Sequence, residues 1–430
     1  MEKNVLILKG DLCYSSVLGE WDTIEQGYLV CKDGVIIGVY SKLPKRWNGC
    51  PVTDYGHALL IPGLVDLHMH APQYTYRGLH MDLELLKWLE VNTFPAEAKY
   101  ADLTYAKEAY RRFVNRMLAS GTTRACVFAS IHVPATEVLM DLLEKSGLCT
   151  MVGKVNMDRN APVYYQEENA RKSAGSTREW LEHCRNRYSN TQPILTPRFI
   201  PACSNELLEE LQLIQEEYGI PVQSHLSENV EEIQWVKELC PEAEFYGDAY
   251  DRFGLFGRQA KTVMAHCVHS GEQELERIRE NGVFLAHCPE SNMNLSSGIA
   301  PVRRFLEMGI RTGLGSDVAG GASESIFTAM MHAIQASKLR WRLLEDSLRP
   351  LTASEVFYLA TKGGGAFFGK VGSFEPGYEL DVLVLDDSRI PAQEGLSIEQ
   401  RMERFIYLHQ EQDLVAKYVR GRKVYPSNKP

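Results

Sequence analysis

Metal-type side chains in this chain fall where short apolar runs end. His68 and His70 close LLIPGLVDLHMH, His225 follows VQS, His266 closes KTVMAH and Asp317 follows GLGS. Each run reads as a buried strand, and each of these residues lies where the chain leaves its strand for the next helix. Distant segments therefore carry imidazoles and a carboxylate to one face of one fold. Ionisable groups gathered in this way are buried only when they are paired or hold a metal.

The runs recur along the chain. Eight can be counted: LLIPGLVDLH, TTRACVFAS, LCTMVGKVN, PILTPRFI, IPVQSHL, KTVMAHC, GVFLAHC and IRTGLGS. Helical segments separate them. One is expected over 104–119, starting at Thr104, with Tyr105, Ala109, Phe113 and Met117 on one face and Gly121 just beyond. Others are expected over 204–218, from Ser204 to just before Gly219, and over 300–308 and 323–339. Thr352 and Glu355 form a capping-box pattern for one more. Eight apolar strands alternating with helices predict an α/β fold, a (β/α)8 TIM barrel. Near-continuous apolar strands suit a parallel sheet covered on both faces.

Both ends differ from this pattern. GYLVCKDGVIIGVYS reads as two strands around the turn pair Asp33-Gly34. YELDVLVLD and DLVAKYVRGRKVYP return to strands after about residue 370. We expect residues 1–61 and 370–430 to pair into one small β domain, with 62–369 as the barrel; separate sheets at the two ends are the alternative. Gly363–Gly365 has no strand–GxGxxG–helix frame and reads as a close-packed helix end. Segments 71–103 and 157–175 are long insertions after the first and third strands. They leave the same end of the barrel as the histidines, where they can form walls or a lid.

Composition narrows the partners. The net charge of −10 argues against a nucleic-acid-binding surface. No run is long and apolar enough to span a membrane, and MEKNVLILKGDLC does not read as a signal peptide. Ten cysteines without a C-x-x-C fit a reduced cytoplasmic protein. Cys126, Cys149, Cys267 and Cys288 sit in apolar runs and read as buried thiols.

His68 and His70 are two apart in a strand and share a face. With His225 and Asp317 they make a donor set suited to zinc. A lone strand histidine is ordinarily a core residue, but strand spacing and convergence under the barrel argue for ligands. Glu228, three residues after His225, is placed to move protons near a metal-activated water; its alternative is a first-turn glutamate facing the helix dipole. His266 is a further ligand or a hydrogen-bonding partner of that water. His287, at the end of the seventh run, is either a support for the site or purely structural. Arg198 and Phe199, in TPRF, can grip a carbonyl oxygen and stack on a planar ring. Gln73 can pair with a heterocycle edge. Trp88 reads by itself as a core residue and is placed among the candidate substrate contacts, which also include His225, Glu228 and Asp317. No G-x-S-x-G nucleophile elbow occurs.

PGLVDLHMHAPQY, LLKWLEVNTFPAE, NMDRNAP, TPRF, HLSEN, MAHCVH, HCPESNMNLSSG and GLGSDVAGG together resemble the amidohydrolase superfamily and, within it, the guanine deaminase family. These segments span residues 62 to 321. The resemblance implies one zinc ion per subunit, held by His68, His70, His225 and Asp317. It implies that Glu228, His266 and Asp317 act on the water, with Glu228 protonating N3 of guanine as water adds at C2, giving xanthine and ammonia. It implies that Gln73, Arg198 and Phe199 bind the purine, that the terminal strands form a β-sandwich, and that the assembly is a homodimer. No lysine ends the fourth strand, where two-metal members carry one. A related enzyme acting on a pterin, a triazine or a modified adenine, and a non-catalytic descendant, are the alternatives.

Overall fold

A computed structural model of the protein describes residues 4–391 and 394–426. The chain starts with four strands, β1 (Val5–Tyr14), β2 (Asp22–Lys32), β3 (Val35–Tyr40) and β4 (Val52–Pro62). Asp33 and Gly34 link β2 to β3 with positive φ at both positions, 52° and 81°, the backbone a tight Asp-Gly hairpin needs.

The run LLIPGLVDLH, expected as one barrel strand, is two. Its first half completes β4 in the small sheet, and β5 (Leu64–His70) opens the barrel. The break is at Gly63, where a Cβ would stand 2.2 Å from Thr123 Oγ1. Only a residue without a side chain lets the chain cross there.

The barrel continues through β6 (Thr122–Phe128), β7 (Cys149–Gly153), β8 (Val155–Asn156), β9 (Thr191–Pro193), β10 (Thr196–Pro197), β11 (Val222–Leu226), β12 (Thr262–His266), β13 (Phe284–His287) and β14 (Thr312–Leu314). All eight expected runs supply barrel strands; the third and fourth are each interrupted, giving β7–β8 and β9–β10. The pairing is parallel throughout, β5-β6-β7-β9, β8-β10 and β11-β12-β13-β14. A Leu195–Val222 bridge joins the fourth strand to the fifth. The ring closes where Asp317 N–H donates to His68 O at 2.9 Å and His70 N–H to Val318 O at 3.0 Å.

The helices follow the expected pattern with shifted ends. The first long one is Leu103–Ala119, capped by Asp102, whose side chain accepts from Thr104 N–H, so Thr104 is inside the helix rather than at its start. Ser204 caps Asn205–Tyr218, and Gly219 ends it in the left-handed conformation. The expected 300–308 and 323–339 are Val302–Glu307 and Ile326–Leu343. The Thr352–Glu355 capping box forms as read. Gly364 packs at a helix end where a Cβ would lie 3.3 Å from Val65 Cβ.

The chain ends in β15 (Val382–Leu385), β16 (Leu414–Val419) and β17 (Arg422–Tyr425). They join the N-terminal strands in one sheet, ordered β17-β16-β15-β4-β1-β2-β3, so the two ends do not form separate sheets. A Val35–Glu379 bridge brings the β3 edge back to the chain entering β15. The sheet thereby curls round a core that includes Leu8, Leu29, Leu60 and Val382. One helix in this region was not expected from the strand-rich pattern. Ile398–Leu408, with a Ser397/Gln400 capping box, packs Phe405 on Phe327 at 5.1 Å between ring centroids. Among the described residues no helix is long and apolar enough to cross a membrane.

Arg124 on β6 fastens the small sheet to the barrel. Its Nε donates to Asp381 Oδ2 and its Nη2 to Glu379 Oε2, each at 2.7 Å, with Asp381 fully buried. Removing one partner of a buried pair strands the other charge, at a cost of about 3–5 kcal/mol. Arg124→Met is expected to lose that much unfolding free energy in a urea titration; an unchanged midpoint would show that the pair contributes nothing net.

Candidate active site

The alternation of β5 puts His68 and His70 on one face, both buried, with their Nε2 atoms 3.2 Å apart. β11 brings His225 Nε2 to 3.2 Å from His70 Nε2. The turn after β14 brings Asp317 Oδ1 to 3.1 Å from His68 Nε2 and 3.4 Å from His70 Nε2. Zinc–nitrogen bonds of about 2.0–2.1 Å in a tetrahedron put ligand atoms about 3.3 Å apart. The observed spacings match that edge, and His68, His70, His225 and Asp317 fall in groups able to hold a metal ion.

The local chemistry favours ligation. His225 Nδ1–H donates to Arg198 O at 2.5 Å, which leaves the Nε2 lone pair free. Burial pushes His68, His70 and His225 below the usual histidine range, which favours the neutral imidazoles that a metal takes as ligands. Burial pushes Asp317 up, but its interactions with His68 and His266, the hydrogen bond with His68 among them, outweigh it and hold the carboxyl at about 2. Ser227, His266 and Asp317 have positive φ, 45°, 77° and 46°. Such backbone is costly for non-glycine residues and gathers at functional sites.

His266, Glu228 and Asp317 form a second group beside the first. His266 Nε2 lies 3.4 Å from Glu228 Oε2 and 3.8 Å from Asp317 Oδ2. Its Nδ1–H faces Asn292 Oδ1 at 3.0 Å. Glu228 lies in the loop between β11 and the helix Val230–Leu239, not in that helix's first turn. Burial and the Asp317 charge hold its carboxyl well above the usual range, as a proton donor at neutral pH requires. Burial and Glu228 raise the neighbouring Glu232 to about 7. His287 ends β13, where burial and then His266 lower it to about 3; its Nδ1 has no hydrogen-bond partner.

A pocket opens directly onto these groups. Gln73, Trp88, Arg198 and Phe199 line it together with Leu85, Leu89 and Leu295. Trp88 is therefore both buried and a wall of the pocket, with Nε1–H donating to Leu79 O at 3.2 Å. Segment 71–103 is a series of short helices, including Leu85–Trp88 and Phe94–Ala98, that covers this side. Two residues here were not anticipated. Glu97 clasps Arg198 with both carboxylate oxygens. Asp66 laces the first strand to the eighth, accepting from His68 N–H and Ser316 N–H at 3.1 Å and from Ser316 Oγ–H at 2.5 Å. A buried arginine needs a partner, which was the available signal for Glu97.

The sequence matches the amidohydrolase family model over residues 59–424. The chain belongs to the amidohydrolase family. It is 40% identical to the guanine deaminase of Dictyostelium discoideum over 98% of each chain. It is 39% identical to that of Mus musculus over 90% of this chain and 88% of the other. Among solved structures, the guanine deaminase of C. acetobutylicum with guanine bound in its active site is 44% identical, with a TM-score of 0.96 over 98% of this chain and 100% of that one.

In this amidohydrolase Asp66 holds the backbone on either side of the convergent donors. Partners that orient metal ligands from behind are worth about 10–100-fold in metal affinity. Asp66→Ala is expected to lose a bound divalent metal ion to a competing chelator at a concentration lower by that factor. Equal retention in the variant would free Asp66 of this role.

Proposed function

We propose that the protein hydrolyses guanine to xanthine and ammonia. The observation that carries this reading is a pocket with Arg198, Gln73 and Phe199 on one side and the convergent histidines and Asp317 on the other. Similarity over nearly the whole chain to guanine deaminases, one with guanine bound, supports it.

We assign one zinc ion per subunit to His68, His70, His225 and Asp317; when bound it lowers the pKa of water to about 7 and so supplies a nucleophile at neutral pH. The protein's own groups do the rest. Arg198 donates to the O6 carbonyl, and Gln73 pairs with the purine edge. Phe199, Trp88 and the leucines pack the bicycle and exclude water from it. Asp317 accepts the proton of the water that adds to C2. His266 Nε2 accepts from the attacking water and holds it in place. Glu228, held protonated by its surroundings, protonates N3; Asp317 then passes the water's proton to the amino group, and Glu228 takes back the proton of the added hydroxyl as the carbonyl forms. The C2–N bond then breaks, ammonia leaves, and the C2 carbonyl of xanthine remains.

We further propose the division into a barrel, 62–369, and a terminal β domain, 1–61 with 370–430, supported by the break at Gly63 and the shared sheet. Ten unpaired cysteines support a cytoplasmic location. The homodimer rests on the family resemblance.

The test is guanine-to-xanthine conversion followed by ultraviolet absorbance, beside a panel of pterins, triazines and adenines assayed for ammonia. Guanine is expected to be the best substrate; another heterocycle turned over in its place would overturn the reading. Glu228→Gln is expected to keep its metal yet lose about 10²–10⁴-fold in kcat. A near wild-type rate would remove Glu228 from the proton path.

A further inference from the structure

Arg198 and Gln73 are not free-standing. Behind them, fully buried, lies Glu97. Its Oε2 accepts from Arg198 Nη1 at 2.7 Å and from the Tyr165 hydroxyl at 2.6 Å. Its Oε1 accepts from Arg198 Nη2 at 3.2 Å and from Gln73 Nε2 at 2.8 Å. One carboxylate thus gathers a residue three past the end of β5, the residue after β10 and a residue of insertion 157–175. The Phe94 ring, 5.4 Å from the Arg198 guanidinium, packs beside the cluster.

Two consequences follow from the chemistry of these groups. The first concerns orientation. Gln73 Oε1 accepts from Ala319 N–H at 3.1 Å while its Nε2 donates to Glu97. Flipping the amide would set N–H against N–H and oxygen against carboxylate, so the edge that Gln73 presents is fixed. The second concerns charge. A guanidinium buried at 2% exposure would, unpaired, draw anions strongly. Its bidentate partner cancels that charge and leaves the remaining N–H groups as neutral-pair donors.

We infer that Glu97 is a positioning residue that sets the substrate class: by orienting Arg198 and Gln73 and offsetting the guanidinium charge, it tunes the pocket to a neutral purine and against an anionic one. This inference rests on the guanine reading. Glu97 touches no reacting atom and acts only through its partners.

The experiment measures equilibrium binding of two purines to the zinc-loaded protein, hypoxanthine as the neutral ligand and urate as the anionic one. The ratio of urate Kd to hypoxanthine Kd reports charge selection. In Glu97→Gln this ratio is expected to fall at least about tenfold, because a stranded buried charge is strongly uncompensated, and the KM for guanine is expected to rise. Glu97→Asp keeps the charge and shortens the reach; it is expected to raise KM while leaving the ratio within about threefold of wild type. A structural defect alone would move neither ratio selectively. Should Glu97→Gln not fold, Arg198→Gln and the double variant carry the test. Arg198→Gln strands the carboxylate and is expected to raise the ratio, and adding Glu97→Gln is expected to bring it back down. A ratio within twofold of wild type in Glu97→Gln, or equal in Arg198→Gln and the double variant, overturns the inference. Wild-type turnover of guanine is measured alongside. The binding ratio needs no turnover, so failure of the activity and failure of the inference are read separately.

Discussion

Imidazole nitrogens that face one another at 3.2 Å are the constraint on which this structure turns. With its Nδ1–H given to Arg198 O, His225 turns an Nε2 lone pair toward the others. Asp317 adds a further acceptor at 3.1 Å. Such a cluster in a buried site is unfavourable until a cation stands at its centre. Much of the barrel serves to hold it. The pleat of β5 aims two of the rings. Arg198 O fixes the tautomer of the third. Asp66 pins the first strand to the eighth, where Asp317 leaves the ring.

The pocket has two halves with different origins. The half that gathers the convergent donors comes from strand ends, which the parallel barrel aligns without help. The half proposed to read the substrate comes from segments added to the barrel, 71–103 and 157–175, and from the turn at Arg198. These segments need their own fastening, and one buried carboxylate supplies it by joining Gln73, Arg198 and Tyr165. The two halves touch at Arg198, whose carbonyl holds His225 while its side chain faces the pocket. A displacement of that turn therefore reaches the proposed metal ligands and the substrate contacts together.

Features that depend on local periodicity were legible in the sequence. The i, i+2 spacing of His68 and His70, the Asp33-Gly34 turn and the Thr352–Glu355 box all form as read. Features that depend on distant partners were not. Glu97 sits 24, 68 and 101 residues from the groups it holds, and nothing near it in the chain reveals them. LLIPGLVDLH is apolar on both sides of Gly63, so its division between two sheets there shows only when Thr123 is seen against that glycine. The helix Ile398–Leu408 carries a capping signal in Ser397 and Gln400, local to the chain yet set between two strand-like segments. The helix expected to begin at Thr104 begins one residue earlier, at Leu103, because Asp102 caps it.

The central claim is that the convergent donors hold a single ion on which turnover depends. Protein stripped of metal by a chelator and titrated with zinc tests it most directly. Guanine turnover should start near zero and rise linearly to a plateau at one equivalent per chain. Full activity in the stripped protein, or a plateau only at two equivalents, would contradict the account.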